Sequence, residues 1–163
     1  MTEPVQPRSV AADSTVHEHL PVLLLETMQA LSIIKDGAYV DATFGRGGHC
    51  RAMLAELSDR GRVIALDRDP PAIAVAEKLR TVEPRLQVFQ ARFAELDTVM
   101  EGLGLRGAIQ GVLMDVGVSS PQLDDPDRGF SFRHAGPLDM RMDPSQGVDA
   151  VSYTHLTLPT IAI

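Results

Sequence analysis

The sequence predicts an α/β fold, a parallel β-sheet flanked by helices, and two features of the chain predict it. Four short apolar segments resemble buried strands, and segments in which apolar residues recur at helical spacing separate them. Three glycines, Gly45, Gly47 and Gly48, lie between the first strand and the helix that follows. Successive strand–helix–strand units of this kind wind a sheet whose strands run parallel.

The first elements are a helix, a strand and a second helix. An amphipathic helix is expected just after Pro21, and a turn at 35–37 precedes a strand that starts at Tyr39. The glycine turn then leads into a helix from Cys50 to Leu57. The predicted core positions of the two helices are Leu24, Met28, Leu31, Met53, Leu54 and Leu57.

The next unit begins with a strand, Arg62–Asp67, that ends in a carboxylate. Asp69 followed by prolines is a helix-start signal, with Asp69 as the capping acid. The helix is expected to run from Pro71 to about Arg80 and to bury apolar residues at helical spacing. These are Ile73, Ala76 and Leu79.

Two further strands and one helix complete the regular part of the chain. The strands are predicted at Leu86–Gln90 and Gly111–Val116, and the helix between them carries Leu96, Val99, Met100 and Leu103. From Val118 the periodicity stops. Residues 119–132 are therefore interpreted as a long polar loop without a helix or strand, and loops of this length are usually functional.

Composition limits the class of protein. The chain of 163 residues is 44% hydrophobic and 23% charged, which is typical of one globular domain, and its formal net charge of −7 argues against a broad nucleic-acid surface. Its single cysteine, Cys50, is compatible with a reducing cytoplasm, and no apolar run reaches the roughly 20 residues that a membrane span needs. Residues 1–16 are polar and are interpreted as a disordered leader. A cytoplasmic location without a membrane partner is expected.

The glycine turn indicates a nucleotide-type cofactor. Glycines allow close approach of a ligand, and Asp67 at the end of the second strand can accept hydrogen bonds from ribose hydroxyls. The spacing departs from the dinucleotide-binding pattern, because its third glycine would fall at Cys50. Asp41 before the turn would repel a pyrophosphate and suits a cationic ligand such as S-adenosylmethionine. A nicotinamide-dependent oxidoreductase is the alternative enzyme.

Several segments of the chain carry a further signal, namely His19–Leu23, Asp41–His49, Ala65–Pro70, Asp115–Asp124, Arg128–Phe132 and Asp139–Asp143. Together they resemble the small-subunit ribosomal RNA cytosine-N4 methyltransferase family, from about His17 to Asp149. The resemblance implies a Rossmann-like class I methyltransferase fold that uses S-adenosylmethionine to methylate the exocyclic amine of a cytidine. The implied partner is small-subunit ribosomal RNA within the small ribosomal subunit.

The resemblance also implies site residues. Contacts to the cofactor are expected at Gly47, Gly48, His49, Asp67, Phe93, Asp115 and Gln122. The amine of cytosine is amide-like, so an acceptor must take the charge that develops on its nitrogen. Asp115 is the expected catalytic residue, although it could instead bind only the amino group of the cofactor. Phe93 could lie against the adenine or belong to the core.

Members of this family are about twice as long as the present chain, so the C-terminal half of the fold is expected to be missing and the fragment itself to be inactive. The expected organisation is a partial cofactor-binding core at 17–124, the start of an inserted subdomain at 125–150, and a non-family tail at 151–163 that does not look helical.

Two other interpretations stay open. One is a non-catalytic ribosome-assembly factor that binds the cofactor or RNA. The other is a metal site built from the loop acids, although capping of loops is the simpler role for such residues, and no metal is expected. These acids are Asp124, Asp125, Asp127, Asp139 and Asp143.

Overall fold

The computed structural model describes residues 21–157, so the predicted leader at 1–16 and the last residues of the tail lie outside the described part. Within it, parallel strands form one sheet in the order β3-β2-β1-β4. The strands are β1 Ala38–Asp41, β2 Arg62–Asp67, β3 Leu86–Gln90 and β4 Gly111–Leu113. This order confirms the Rossmann-like α/β prediction, with a switch in winding direction between β1 and β4.

Helices lie before, between and after the strands. They are α1 Leu24–Leu31, α2 Gly48–Glu56, α3 Pro70–Arg80, α4 Leu96–Gly102, α5 Ser120–Asp124 and α6 Ala150–Thr157. Short 3₁₀ turns span Phe93–Glu95 and Pro126–Arg128. The helix predicted just after Pro21 therefore begins three residues later, at Leu24.

The two faces of the sheet are covered separately because side chains alternate along each strand. Val63 and Ala65 of β2 face the side of the sheet covered by α1, α2 and α3, where Cys50 is fully buried. Ile64 and Leu66 face the side on which Met100 of α4 packs. The face of α3 that packs on the sheet is formed by Ala72, Val75, Ala76 and Leu79. Ile73 lies outside this face and is only half-buried, so the prediction that it is buried was wrong.

Strand β4 ends three residues before the predicted end. Its partner β1 stops at Asp41, opposite Leu113, and turns into the glycine loop, so the residues after Leu113 have no further β1 residue to pair with. The amide of Ala42 donates the last bond of this ladder, to the Leu113 carbonyl at 2.9 Å. Val116 is consequently 70% exposed rather than part of a strand.

The polar segment after β4 contains regular structure that the sequence analysis did not expect. The prediction of a loop without a helix was wrong, because α5 begins there with a capping box between Ser119 and Gln122. The non-helical expectation for the tail was also wrong. The helix α6 starts at Ala150, whose amide donates to the Asp139 carbonyl at 2.8 Å.

Candidate functional site

The glycine turn brings its backbone to the end of β2. Gly45 has a positive φ of 53° and donates its amide to the Asp67 carboxylate at 2.8 Å. Among the described residues, a Cβ on Gly45 would meet only the Thr43 carbonyl, at 3.9 Å, so the space beside this glycine is open. The backbone of Gly45 is therefore accessible to a ligand.

Gly47 and Gly48, the glycines expected to contact the cofactor, are needed for packing as well. A Cβ on Gly47 would come within 2.5 Å of the Phe44 ring, and one on Gly48 within 2.2 Å of the Pro21 side chain. Gly47 also has a φ of 75° and is the N-cap of α2. Both must be glycine for the turn to pack, whether or not a ligand contacts them.

His49 lies in the first turn of α2 and is half-buried. Its Nε2 is buried and has no hydrogen-bond partner among residues 21–157. A buried nitrogen without a partner costs free energy, which a ligand atom could recover.

Asp67 lies at the end of β2, as predicted, and both oxygens accept backbone hydrogen bonds. One accepts from Gly45, and the other accepts from the Asp69 amide at 2.9 Å. Each carboxylate oxygen has a second lone pair, so Asp67 can still accept hydroxyl groups. Its carboxylate is thus held in one orientation before any ligand arrives.

Asp41 at the end of β1 is only 1% exposed. One oxygen accepts the Thr43 amide at 3.2 Å, and the other has no partner among the described residues. The pKa of Asp41 is raised to about 7. Burial is the largest cause, the hydrogen bond from Thr43 opposes it, and the nearby carboxylates of Asp67 and Asp115 add to it. A cation bound close by would favour the ionised form.

Asp115 follows β4 and is exposed. Its amide donates to the Thr43 hydroxyl at 2.7 Å, which joins the segment after β4 to the glycine turn. The carboxylate is therefore free to contact a ligand at the switch point of the sheet.

Phe93 lies in the 3₁₀ turn after β3 and is 47% exposed. Within residues 21–157 the Phe93 ring is therefore not covered as a core residue would be. Contact with an adenine ring stays a prediction.

Gln122 belongs to a buried network. The residue is 5% exposed, its Oε1 accepts the Ser119 amide at 2.9 Å, and its Nε2 donates to Asp69 at 2.9 Å. Asp69 also accepts from Arg128 at 3.0 Å. The expectation that the Asp69 side chain caps α3 was wrong, because it makes no capping bond and contacts the polar segment instead.

A pocket of about 490 Å³ lies beside this network. Gly45, Asp69 and Ala72 line one side, and residues of the segment after β4 line the other. The lining residues from that segment are Ser119, Pro121, Gln122, Asp124, Asp125 and Arg128. Of the residues predicted to contact the cofactor, only Gln122 lines this pocket.

The side chains of Asp125, Asp139 and Asp143 hold local turns, as the simpler interpretation had it. Asp125 accepts the Asp127 amide at 3.0 Å, Asp143 accepts from Ser145 and Gln146, and Asp139 pairs with Arg141 at 2.6 Å. Among the described residues, no group of three His, Cys, Asp or Glu side chains could hold a metal ion.

Thr43, Asp69 and Arg128 are the residues that sequence reasoning missed. No local pattern indicates a role in the site for these three residues. The capping pattern Ser119-x-x-Gln122 could have predicted the start of α5, which brings Gln122 to the site. The contacts of Asp69 with residues more than 50 positions away leave no local pattern.

Together the fold and these residues define a doubly wound α/β protein with an acidic nucleotide-type site at its switch point. The residues fit a cofactor with a ribose and a cationic group, because Asp67 can accept hydroxyls and the unpartnered oxygen of Asp41 favours a nearby positive charge. A sequence profile of the MraW methylase family matches residues 16–156, and the chain belongs to this family. The match continues six residues past the predicted boundary at 150, and that boundary stays a prediction.

Curated relatives agree with this assignment. The chain is 57% identical over 136 residues to "Ribosomal RNA small subunit methyltransferase H" of Shewanella pealeana, covering 83% of this chain and 43% of that protein. The protein of the same name from Pseudoalteromonas atlantica is 51% identical over 140 residues, covering 86% of this chain and 45% of the relative. The chain thus spans less than half the length of these relatives.

Among solved structures, a putative rRNA-methylase from Clostridium thermocellum has a TM-score of 0.42 and 24% sequence identity, covering 46% of this chain and 43% of that one. Across residues 21–157, the helices are too short or too polar for any to traverse a lipid bilayer.

Proposed function

We propose that the protein to which this chain belongs is an S-adenosylmethionine-dependent methyltransferase. Its substrate is the exocyclic N4 amine of a cytidine in small-subunit ribosomal RNA, presented within the small ribosomal subunit. The observation that supports the proposal most is the position of Asp67 and Asp115 around the glycine turn, in a chain of the methylase family. The names of the two curated relatives support the class of substrate. A cytoplasmic location accompanies this proposal.

The geometry of the described residues supports the roles that the family resemblance implies. Asp67, held by two backbone amides, accepts the ribose hydroxyls, and Phe93 offers an exposed ring for the adenine. Gly47, Gly48 and His49 form the start of α2 beneath the methionine part, and Gln122 contributes from α5 in the segment after β4. When bound, the cofactor supplies an electrophilic methyl group on a positively charged sulfur.

Asp115 is the proposed catalytic residue. Its exposed carboxylate is anchored through its own amide, so it can accept a hydrogen bond from the amine of cytosine as positive charge develops on the nitrogen. The same carboxylate could bind the amino group of the cofactor, and the two roles differ in which kinetic constant they control.

Two measurements on the full-length protein test the proposal. Calorimetric titration should give tighter binding of S-adenosylmethionine than of NAD, and tighter binding of NAD would favour the oxidoreductase. Labelled methyl transfer should modify unmethylated small ribosomal subunits at a cytidine N4. Binding of the cofactor without any transfer would favour the non-catalytic assembly factor.

A further inference from the structure

We propose that Asp69 is a positioning residue, whose buried carboxylate ties the polar segment 119–142 to the turn after β2 and so holds Gln122 at the candidate site. The proposal deepens the proposed function and rests on it for the identity of the ligand. The tie itself is argued from contacts within the chain.

Both oxygens of the Asp69 carboxylate accept hydrogen bonds from the polar segment. The residue is 5% exposed, and its Oδ1 accepts from Arg128 Nη1 at 3.0 Å while its Oδ2 accepts from Gln122 Nε2 at 2.9 Å. Its own amide donates to Asp67 at 2.9 Å. One residue therefore links the expected ribose-binding acid to the segment after β4.

Arg128 extends the tie to the far end of the segment. Its side chain is 12% exposed, and its Nη2 donates to the carbonyls of Arg141 at 3.0 Å and Met142 at 2.9 Å. The guanidinium thus joins three stretches of chain, at 69, 128 and 141–142. Leaving a buried guanidinium without its counter-ion costs free energy, so the ion pair with Asp69 stabilises the observed position of the segment.

The orientation of Gln122 depends on the same carboxylate. Its oxygen accepts the Ser119 amide, and its nitrogen donates to Asp69, so both ends of the amide are fixed by the protein. Since Gln122, Arg128 and Asp69 all line the pocket, its shape depends on the contact between the turn and the segment.

The test uses Asp69→Asn in the full-length protein, because asparagine keeps the shape and removes the charge. Hydrogen exchange without cofactor should become about tenfold faster, or more, in peptides covering 119–142 and stay unchanged in β1, β2 and β3. The dissociation constant for S-adenosylmethionine should rise about tenfold. Asp97→Asn is the matched control, since it removes an exposed partner of Arg106, and both readouts should match the wild type.

Unchanged exchange in 119–142 of folded Asp69→Asn would overturn the proposal, and faster exchange with unchanged cofactor affinity would overturn the positioning role. If exchange becomes faster but the wild type binds no S-adenosylmethionine, the tie is supported and the proposed function fails.

Should Asp69→Asn not fold, the double variant Asp69→Asn/Arg128→Met removes both charges together. Faster exchange of 119–142 in that variant supports the tie, and unchanged exchange overturns it.

Discussion

The hydroxyl of Thr43 accepts a hydrogen bond from the backbone amide of Asp115, at an N–O distance of 2.7 Å. The two residues are 72 positions apart and follow the adjacent strands β1 and β4. The bond continues the contact between these strands beyond the point where their ladder ends. It fixes the backbone from which the Asp115 carboxylate projects.

Replacing Thr43 with valine should loosen this link. Valine has nearly the same shape but cannot accept the bond, so the free energy of unfolding should fall by about 1 kcal/mol. Urea denaturation of the full-length protein measures the change. Thr43→Ser keeps the hydroxyl and should lose less; equal stability of the two variants would show that the bond contributes nothing.

Asp115→Asn should separate the two roles of this carboxylate. If Asp115 accepts charge from the cytosine amine, methylation should slow by about 100-fold or more, with a smaller loss of cofactor affinity. Single-turnover experiments measure the methylation rate, and calorimetric titration measures the dissociation constant of the cofactor. Equal losses in both would assign Asp115 to cofactor binding alone.

Asp67→Ala should weaken the binding of S-adenosylmethionine by about 1–3 kcal/mol. The variant loses the acceptor for the ribose hydroxyls and also frees the amides of Gly45 and Asp69. Isothermal titration measures the change, with Asp59→Ala, on the exposed turn before β2, as the control. An unchanged dissociation constant in folded Asp67→Ala would show that Asp67 does not bind the cofactor.

The buried carboxyl of Asp41 should make the ligand-free protein less stable as the pH rises. Its pKa is raised from 3.8 to about 7, so between these values the folded state keeps a proton that the unfolded state has lost. The free energy of unfolding therefore falls from about pH 4 to pH 7, by up to about 4 kcal/mol from this group.

Asp41→Asn removes this dependence and provides the measurement. The variant should be more stable than the wild type above pH 7, and the difference should disappear near pH 4. Denaturation across this range, with Asp97→Asn as an exposed control, measures it. A parallel pH dependence of the Asp41 variant and the wild type would contradict the prediction.

The 163-residue chain expressed alone should not methylate ribosomal subunits. It covers 43% of the Shewanella pealeana relative, and within the described residues β4 pairs only with β1. Val112 and Met114 are 41% and 47% exposed, so this edge of the sheet favours aggregation. Solubility and methyl transfer of residues 1–163 test this. A soluble monomer with the turnover of the full-length protein would contradict it.

The strands and the helices between them were predictable from local patterns, whereas α5 and α6 were not predicted. Met53, Leu54 and Leu57 on α2 recur at helical spacing, Val63 and Ile64 belong to a continuous apolar run typical of a buried strand, and the structure places all of them in the core. The end of β4 could not be read in this way, because it depends on where β1 turns away.

The site was predictable only in part, for a related reason. Asp67 could be expected at the strand end, but its bond to the Gly45 amide spans 22 positions. Asp69 has the local signature of a helix cap, and its charge is instead satisfied by Arg128, 59 positions away. Pairings at such distances are decided by the packed fold and leave no trace in neighbouring residues.

The burial of Cys50 makes the rate of thiol labelling a measure of how often α2 opens. It is the one cysteine of the chain, it is 0% exposed on α2, and burial raises the pKa of its thiol well above the ordinary value. A thiol-reactive dye can therefore attach only when α2 lifts away from the sheet. Because α2 starts at Gly48, anything that occupies the glycine turn should slow this labelling, and the rate reports occupancy without any assay of chemistry.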